Sequence, residues 1–204
     1  MSSLAPSNVR ALCVLGLDPA VAGATGYGVV QSDGRRCRML RFGALRPTDS
    51  CGPLYGHLRD VHALVADLIA EFAPDGVAIE SVFTARNMQT ALRLAEVRGV
   101  VLLAAAQAGI PSFSYTPRAV KAAVAGYGQA GKEQVQQMVR ALLGMSETPE
   151  PADAADALAV ALCHVQAAEM HARWGVAGVP GVSGGARSSR RRNAAPLPRI
   201  GTSR

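Results

Sequence analysis

Apolar residues in the first part of the chain form short continuous runs, and one stretch repeats them at helical spacing. The short runs, separated by turn residues, predict strands, while apolar residues three or four positions apart predict a helix that ends before Pro74. The predicted strands cover residues 9–18, 26–31, 36–45 and 76–80, and the predicted helix covers 54–72. The first three strands are adjacent along the chain and predict a meander.

Helical patterns dominate the rest of the chain up to about residue 173. A long Ala- and Leu-rich helix, a short strand and three further helices are predicted, at residues 87–108, 111–115, 117–125, 132–143 and 152–170. This order predicts the α/β class, with a mixed central sheet and helices on both of its faces. We expect a flexible N-terminus at 1–8, one domain at 9–173 and a disordered, Arg-rich tail at 174–204, where Gly, Ser, Pro and Arg replace any hydrophobic period.

Composition and charge refine this picture. The 204 residues are 49% hydrophobic, which is enough to build a core and excludes a wholly disordered chain. The formal net charge of +6 is unevenly placed, because residues 171–204 hold seven Arg and no acid, whereas residues 1–170 hold 14 Lys and Arg and 15 Asp and Glu. The body of the protein is therefore nearly neutral, and the basic character belongs to the tail.

Cysteine spacing and apolar run length exclude several classes of protein. The four Cys lack the close pairing of a zinc or redox site, so we expect reduced thiols. The N-terminus lacks the features of a signal peptide, and the apolar run 99–110 is shorter than the roughly 20 residues that span a bilayer. We therefore expect a cytoplasmic protein without a membrane span.

Four acids stand where predicted elements end or begin. Asp18 and Glu80 each end an apolar strand, and Asp153 and Asp156 lie three residues apart on one face of the last helix. Taken singly, each has a plain structural explanation: an Asp-Pro turn, a strand end facing water, a helix cap and a first-turn acid. If they converge, their repulsion requires divalent cations, and Mg²⁺ or Mn²⁺ on oxygen ligands suits phosphodiester hydrolysis.

Two other sequence patterns are weaker indications of a functional site. Residues 126–132 match a glycine-rich phosphate loop, but Glu133 stands where Ser or Thr would bind Mg²⁺, and a predicted helix precedes the loop. Lys132 is either a contact to a DNA phosphate or a solvent-exposed residue. The spacing of the four His matches no metalloprotease motif, so we interpret them as surface or structural residues.

The order of these motifs resembles the RuvC family of Holliday junction resolvases, the crossover junction endodeoxyribonucleases. The motifs are Gly-Leu-Asp-Pro with Thr-Gly-Tyr-Gly-Val-Val, Ala-Ile-Glu-Ser-Val-Phe, Gly-Tyr-Gly-Gln-Ala-Gly-Lys and Asp-Ala-Ala-Asp-Ala-Leu-Ala-Val-Ala, in unbroken order over residues 9–168. The resemblance implies an RNase H-like fold and a homodimer. It also implies paired, metal-dependent nicks in four-way DNA junctions during recombination and repair, and RuvA and RuvB as branch-migration partners.

The resemblance also implies roles for individual residues. The acids Asp18, Glu80, Asp153 and Asp156 match the family's catalytic metal ligands, for two Mg²⁺ per subunit, with Mn²⁺ as the alternative ion. The implied DNA-binding residues are Lys121, Lys132 and the aromatic wedge Phe83. Independently of the resemblance, the net positive charge of the segment 86–140, which begins at Arg86, indicates either a phosphate-binding surface or a solvated face. Ala20 departs from the family's usual Gly after Asp-Pro, and the following loop is one residue longer.

Several functions other than junction resolution are also compatible with the sequence. A monomeric, RNA-acting RNase H-like nuclease would share the four acids, and an actin-like ATPase or kinase would share the acid at the end of the first strand. A non-catalytic nucleic-acid binder is the remaining alternative if the acids do not converge. The apolar segment 100–106 of the helix 87–108 predicts a dimer interface, although Leu102 and Leu103 are equally suited to a core.

Overall fold

The computed structural model describes residues 10–21, 23–47, 53–81 and 88–174. One five-stranded mixed sheet has the strand order β3-β2-β1-β4-β5, in which β1, β2 and β3 form an antiparallel meander and β4 and β5 run parallel to β1. The elements are β1 (Leu12–Asp18), β2 (Thr25–Ser32), β3 (Cys37–Leu45), α1 (Pro53–Phe72), β4 (Gly76–Glu80), α2 (Met88–Gln107), β5 (Ser112–Tyr115), α3 (Pro117–Ala125), α4 (Lys132–Leu142) and α5 (Ala152–Trp174).

Helices cover both faces of the sheet and bury a separate hydrophobic cluster on each. Helices α1 and α2 pack on one face, and α3, α4 and α5 pack on the other. Side chains along β1 alternate between them: Leu15 and Leu17 join the α1–α2 cluster, whereas Val14 joins the α5 cluster. By the same alternation Asp18, at the end of β1, lies on the face covered by α5.

Helix α5 lies unusually close to the sheet because glycines face it. A Cβ on Gly16 of β1 would overlap the backbone of Ala157, and a Cβ on Gly26 of β2 would overlap the carbonyl of Asp153. Small residues on the helix complete the fit, and Leu158 and Val160 of α5 are fully buried. The glycines therefore set the distance between the first turns of α5 and the ends of β1 and β2.

The predicted order and type of elements are confirmed, with small shifts at their ends. The largest shift is at α5, which continues through Trp174 although the hydrophobic pattern predicted its end at residue 170. Its last turns consist mostly of residues that are favourable in helices and are partly exposed, so helical propensity extends the helix where burial gives no signal. Residue 174, predicted as the first residue of the disordered tail, is therefore helical. Residues 1–8 and 175–204 lie outside the described residues, and the expectations for them stay predictions.

Cysteines and histidines behave as expected where they are described. Cys13, Cys37 and Cys163 are free thiols. His164 is buried, its Nδ1 lies within hydrogen-bond distance of the Tyr115 hydroxyl at 2.7 Å, and burial lowers its pKa to about 4. In the part of the chain that the structure describes, no helix has the length and apolar character needed to span a membrane.

The glycine contacts generate a prediction about stability. We expect Gly26→Ala to lower the free energy of unfolding by at least about 2 kcal/mol, because the new methyl group displaces the first turn of α5. Urea denaturation measures this change. Gly99→Ala is the matched control: no atom lies within 4 Å of a Cβ built there, and Ala is favoured over Gly inside α2. Wild-type stability of Gly26→Ala would show that α5 does not approach the sheet so closely.

Candidate active site

The parallel pairing of β1 with β4 brings two acids together. Leu17 pairs with Ile79 in the parallel register, so the next residues, Asp18 and Glu80, end neighbouring strands at the same edge of the sheet. Hydrogen bonds also fix the end of β4, because the Ser81 amide and hydroxyl both donate to the carbonyl of Tyr115, at 2.7 Å and 2.9 Å. The two carboxylates therefore project from adjacent, well-anchored positions.

Helix α5 supplies the other two acids from its N-terminal end. Asp153 lies in the first turn and Asp156 three residues later, so both are on one helix face. The close contact between this turn and Gly26 places them beside β1, because Gly26 is the direct partner of Asp18 in the antiparallel ladder. The four predicted acids therefore converge.

Mutual repulsion and burial perturb the two strand-end carboxylates. The pKa of Asp18 rises to about 8, first because of burial and then because Glu80, Asp156 and Asp153 are negatively charged neighbours. The pKa of Glu80 rises to about 7, first by burial and then by the charge of Asp156. A turn acid or a strand-end acid facing water would show neither effect. The plain structural explanations for Asp18 and Glu80 therefore fail.

Two lysines lie in the same cleft as the acids. The cleft has a volume of about 290 Å³, and its lining includes Lys121 of α3 and Lys132 of α4 together with Asp18, Glu80 and Asp156. The Lys132 ammonium lies 3.0 Å from an Asp156 carboxylate oxygen, and this hydrogen bond raises the lysine pKa. Both lysines also lower the pKa of Glu80. Lys132 is thus part of the cluster and not merely a solvated residue.

The donor set fits a hard divalent cation by its chemistry. All four acids are carboxylates, the ligands that Mg²⁺ and Mn²⁺ prefer, and their repulsion is the charge that such an ion would neutralise. Among the described residues, however, no group of three or more His, Cys, Asp or Glu side chains is already arranged to hold a metal ion. We expect ion binding to draw the carboxylates together and to compete with the bond between Lys132 and Asp156.

Two predicted site residues are not described by the structure, which does bear on one alternative function. Phe83 and Arg86 lie outside the described residues. The glycine-rich segment 126–132 joins α3 to α4 and follows a helix, not the strand that a nucleotide-binding loop requires. The structure thus gives no support to the ATPase or kinase alternative.

Sequence patterns missed some contacts that support the cluster. Arg98 of α2 donates to the Ser114 hydroxyl over 2.6 Å and lies 3.5 Å from the carbonyl oxygen of Glu80. His57 of α1 contacts the carbonyl of Ala20, two residues after Asp18. The only sequence signals were an Arg inside an apolar helix segment and a His at a buried helical position, and neither pattern indicates a partner distant in the chain.

Comparison with known families gives a match over most of the described body. The family model described as "Crossover junction endodeoxyribonuclease RuvC" matches residues 14–164. A protein of that name from Natranaerobius thermophilus is 45% identical over 162 residues, which is 79% of this chain and 99% of the relative. Its counterpart from Chloroflexus aggregans is 47% identical over 162 residues, covering 79% of this chain and 98% of the relative.

Solved structures give the same result. T. thermophilus RuvC in complex with a Holliday junction substrate is 39% identical, with a TM-score of 0.73 over 78% of this chain and 96% of that chain. The yeast mitochondrial Holliday junction resolvase Ydc2 is only 15% identical, with a TM-score of 0.54 over 78% of this chain and 82% of that chain, and it shows a shared fold alone. The predicted RNase H-like α/β fold is thereby confirmed.

The raised carboxylate pKa values predict how stability without metal depends on pH. Between about pH 4 and 8, folded Asp18 and Glu80 retain protons that the unfolded chain has lost, so this cluster destabilises the fold as pH rises. We expect Asp18→Asn to increase the free energy of unfolding at pH 8 in chelator by about 1–3 kcal/mol, with little change at pH 4.5. Urea denaturation at both pH values measures it.

The difference between variant and wild type isolates this effect from His164, whose lowered pKa destabilises the fold in the opposite direction, as pH falls below about 6.5. Asp67→Asn on the exposed side of α1 is the matched control and should leave the pH dependence unchanged. An Asp18→Asn protein less stable than wild type at pH 8 would contradict the repulsive cluster.

Proposed function

The chain belongs to the RuvC family of crossover junction endodeoxyribonucleases, and we propose that it cuts DNA with Asp18, Glu80, Asp153 and Asp156. It is a Holliday junction resolvase, a hydrolase that nicks four-way DNA junctions in recombination and repair. The observation that carries the assignment of residues is the convergence of four carboxylates from β1, β4 and α5, with two of them strongly perturbed.

Each group in the cleft has a distinct task in strand cleavage. The four carboxylates hold the divalent ions, for which we propose two Mg²⁺ per subunit, with Mn²⁺ as a substitute. Such ions, when bound, activate a water and stabilise the leaving oxygen of a phosphodiester. Lys121 and Lys132 project into the same cleft and bind backbone phosphates. Release of Lys132 from Asp156 frees both residues for these tasks.

Paired cleavage requires two such clefts on one junction, and α2 provides a surface suited to a homodimer. Met88, Leu92 and Leu103 are 75%, 59% and 51% exposed, and their spacing puts them on one helix face. The predicted interface segment 100–106 is mostly core, because Val101, Ala104 and Ala105 are buried and Leu102 packs against them. The apolar face of α2 is therefore our proposed contact between two copies of the chain.

Further parts of the proposal rest on family membership or on composition. They are an unstacking role for Phe83, DNA contacts by Arg86, cooperation with RuvA and RuvB, and a cytoplasmic location. The Arg-rich segment after Trp174 adds non-specific attraction to DNA that weakens with salt.

Separation of binding from cleavage tests the assignment of the acids. We expect Asp18→Asn, Glu80→Gln, Asp153→Asn and Asp156→Asn each to reduce junction cleavage in Mg²⁺ at least about 100-fold, through loss of an ion ligand. Each should bind the junction in chelator at least as tightly as wild type, because a charge that repels DNA is removed. Gel-shift titrations in chelator and cleavage time courses with Mg²⁺ or Mn²⁺ measure the two effects.

Glu133→Gln is the matched control, since it removes an exposed acid near Lys132 that does not line the cleft. It should cut four-way junctions like wild type and spare linear duplex, and both strands should be nicked within one complex. Near-wild-type cleavage by any of the four amide variants would remove that residue from the site. Equal cleavage of linear duplex would favour a nuclease without junction selectivity.

A further inference from the structure

In the turn that follows Asp18, the backbone amide and the backbone carbonyl of Ala20 both take part in hydrogen bonds. The Ala20 amide donates to the Thr25 hydroxyl over 3.3 Å, and the Ala20 carbonyl lies 3.1 Å from His57 Nε2. Pro19 has no N–H, so Ala20 is the first residue after Asp18 that can donate a backbone hydrogen bond. Thr25 is fully buried and His57 is only 1% exposed, which shields both hydrogen bonds from water.

His57 reaches Ala20 from the face of the sheet opposite to the one from which the α5 acids approach Asp18. His57 belongs to α1, which packs on the face of the sheet opposite to α5. Asp153 and Asp156 approach Asp18 from the α5 face. The bond therefore holds the carbonyl of Ala20 on the side of the sheet away from the acids.

The second ring nitrogen offsets the stability that the hydrogen bond to Ala20 contributes. Because Nε2 faces a carbonyl oxygen, it carries the proton, and Nδ1 is left as an acceptor. Within the described residues Nδ1 is buried without a hydrogen-bond partner. Such an atom costs about 1–3 kcal/mol, which is similar to the cost of leaving the Ala20 carbonyl unpaired if an apolar side chain replaced the histidine. An apolar residue at position 57 cannot donate the hydrogen bond to the carbonyl of Ala20.

We propose that His57 is a positioning residue for junction cleavage. Its Nε2–H keeps the carbonyl of Ala20 on the α1 side, so that the face of Asp18 directed at α5 stays open to the metal ions and the DNA phosphate. The inference rests on the proposed function, because it takes Asp18 as an ion ligand. The inference also gives a structural role to the turn at Ala20, where this chain departs from the usual Asp-Pro-Gly pattern.

Two substitutions at His57 separate hydrogen bonding from packing. His57→Leu leaves the Ala20 carbonyl unpaired but removes the unpartnered Nδ1, and because these two costs are similar we expect a melting temperature close to that of wild type. Cleavage at saturating junction and Mg²⁺ should fall about tenfold, because a displaced loop misplaces the site. The Mg²⁺ concentration for half-maximal cleavage should rise. His57→Gln restores an N–H at the Nε2 position and should recover cleavage to within about threefold of wild type.

Amide hydrogen exchange in the metal-free protein provides a readout that does not depend on activity. Exchange at residues 20–24 should be faster in His57→Leu than in wild type or His57→Gln. His62→Leu is the matched control: His62 lies on the same helix and bonds to Gln107 over 2.9 Å, and the variant should not change exchange in this loop or cleavage.

Wild-type cleavage and loop exchange in His57→Leu would overturn the inference, and so would equal losses of stability and cleavage in the Leu and Gln variants. Failure of the proposed function gives a different result, since Asp18→Asn would then still cut. An inactive Asp18→Asn beside a fully active His57→Leu would reject only the role of His57.

Discussion

The close approach of α5 to the glycine face of β1 and β2 is the contact on which the active site depends. Gly16 and Gly26 leave space that the backbone of the helix occupies, and any side chain there would displace it. Because Gly26 pairs with Asp18, the same contact that completes one hydrophobic cluster also places the first turn of α5 beside the end of β1. Packing and catalysis thus share one constraint.

The same packing brings carboxylates together in the cleft, and their mutual repulsion destabilises the fold. Burial and neighbouring carboxylates raise the pKa of Asp18 and Glu80, so the metal-free fold carries an unfavourable charge cluster near neutral pH. The bond between Lys132 and Asp156 offsets part of this repulsion. In the proposed function the same residues serve as ion ligands and as a phosphate contact, and their destabilising arrangement is a consequence of that function.

Much of the fold and the acid cluster follows from sequence patterns, whereas the supporting contacts do not. Apolar runs ending in Asp18 and Glu80 predicted two buried strands, and parallel pairing of those strands is sufficient to unite their ends. The contact of His57 with Ala20 joins residues 37 apart in sequence, and no local pattern specifies it. The glycines of β2 likewise suggest a weakened strand until the helix that fills their space is seen.

The most direct test of the account is anomalous diffraction from crystals of the protein grown with Mn²⁺. We predict manganese density bounded by Asp18, Glu80 and the first two turns of α5, with the Asp156 carboxylate turned from Lys132 toward the metal. Manganese bound elsewhere, with this cleft empty and the lysine contact intact, would contradict the proposal that the four acids form the metal-dependent active site.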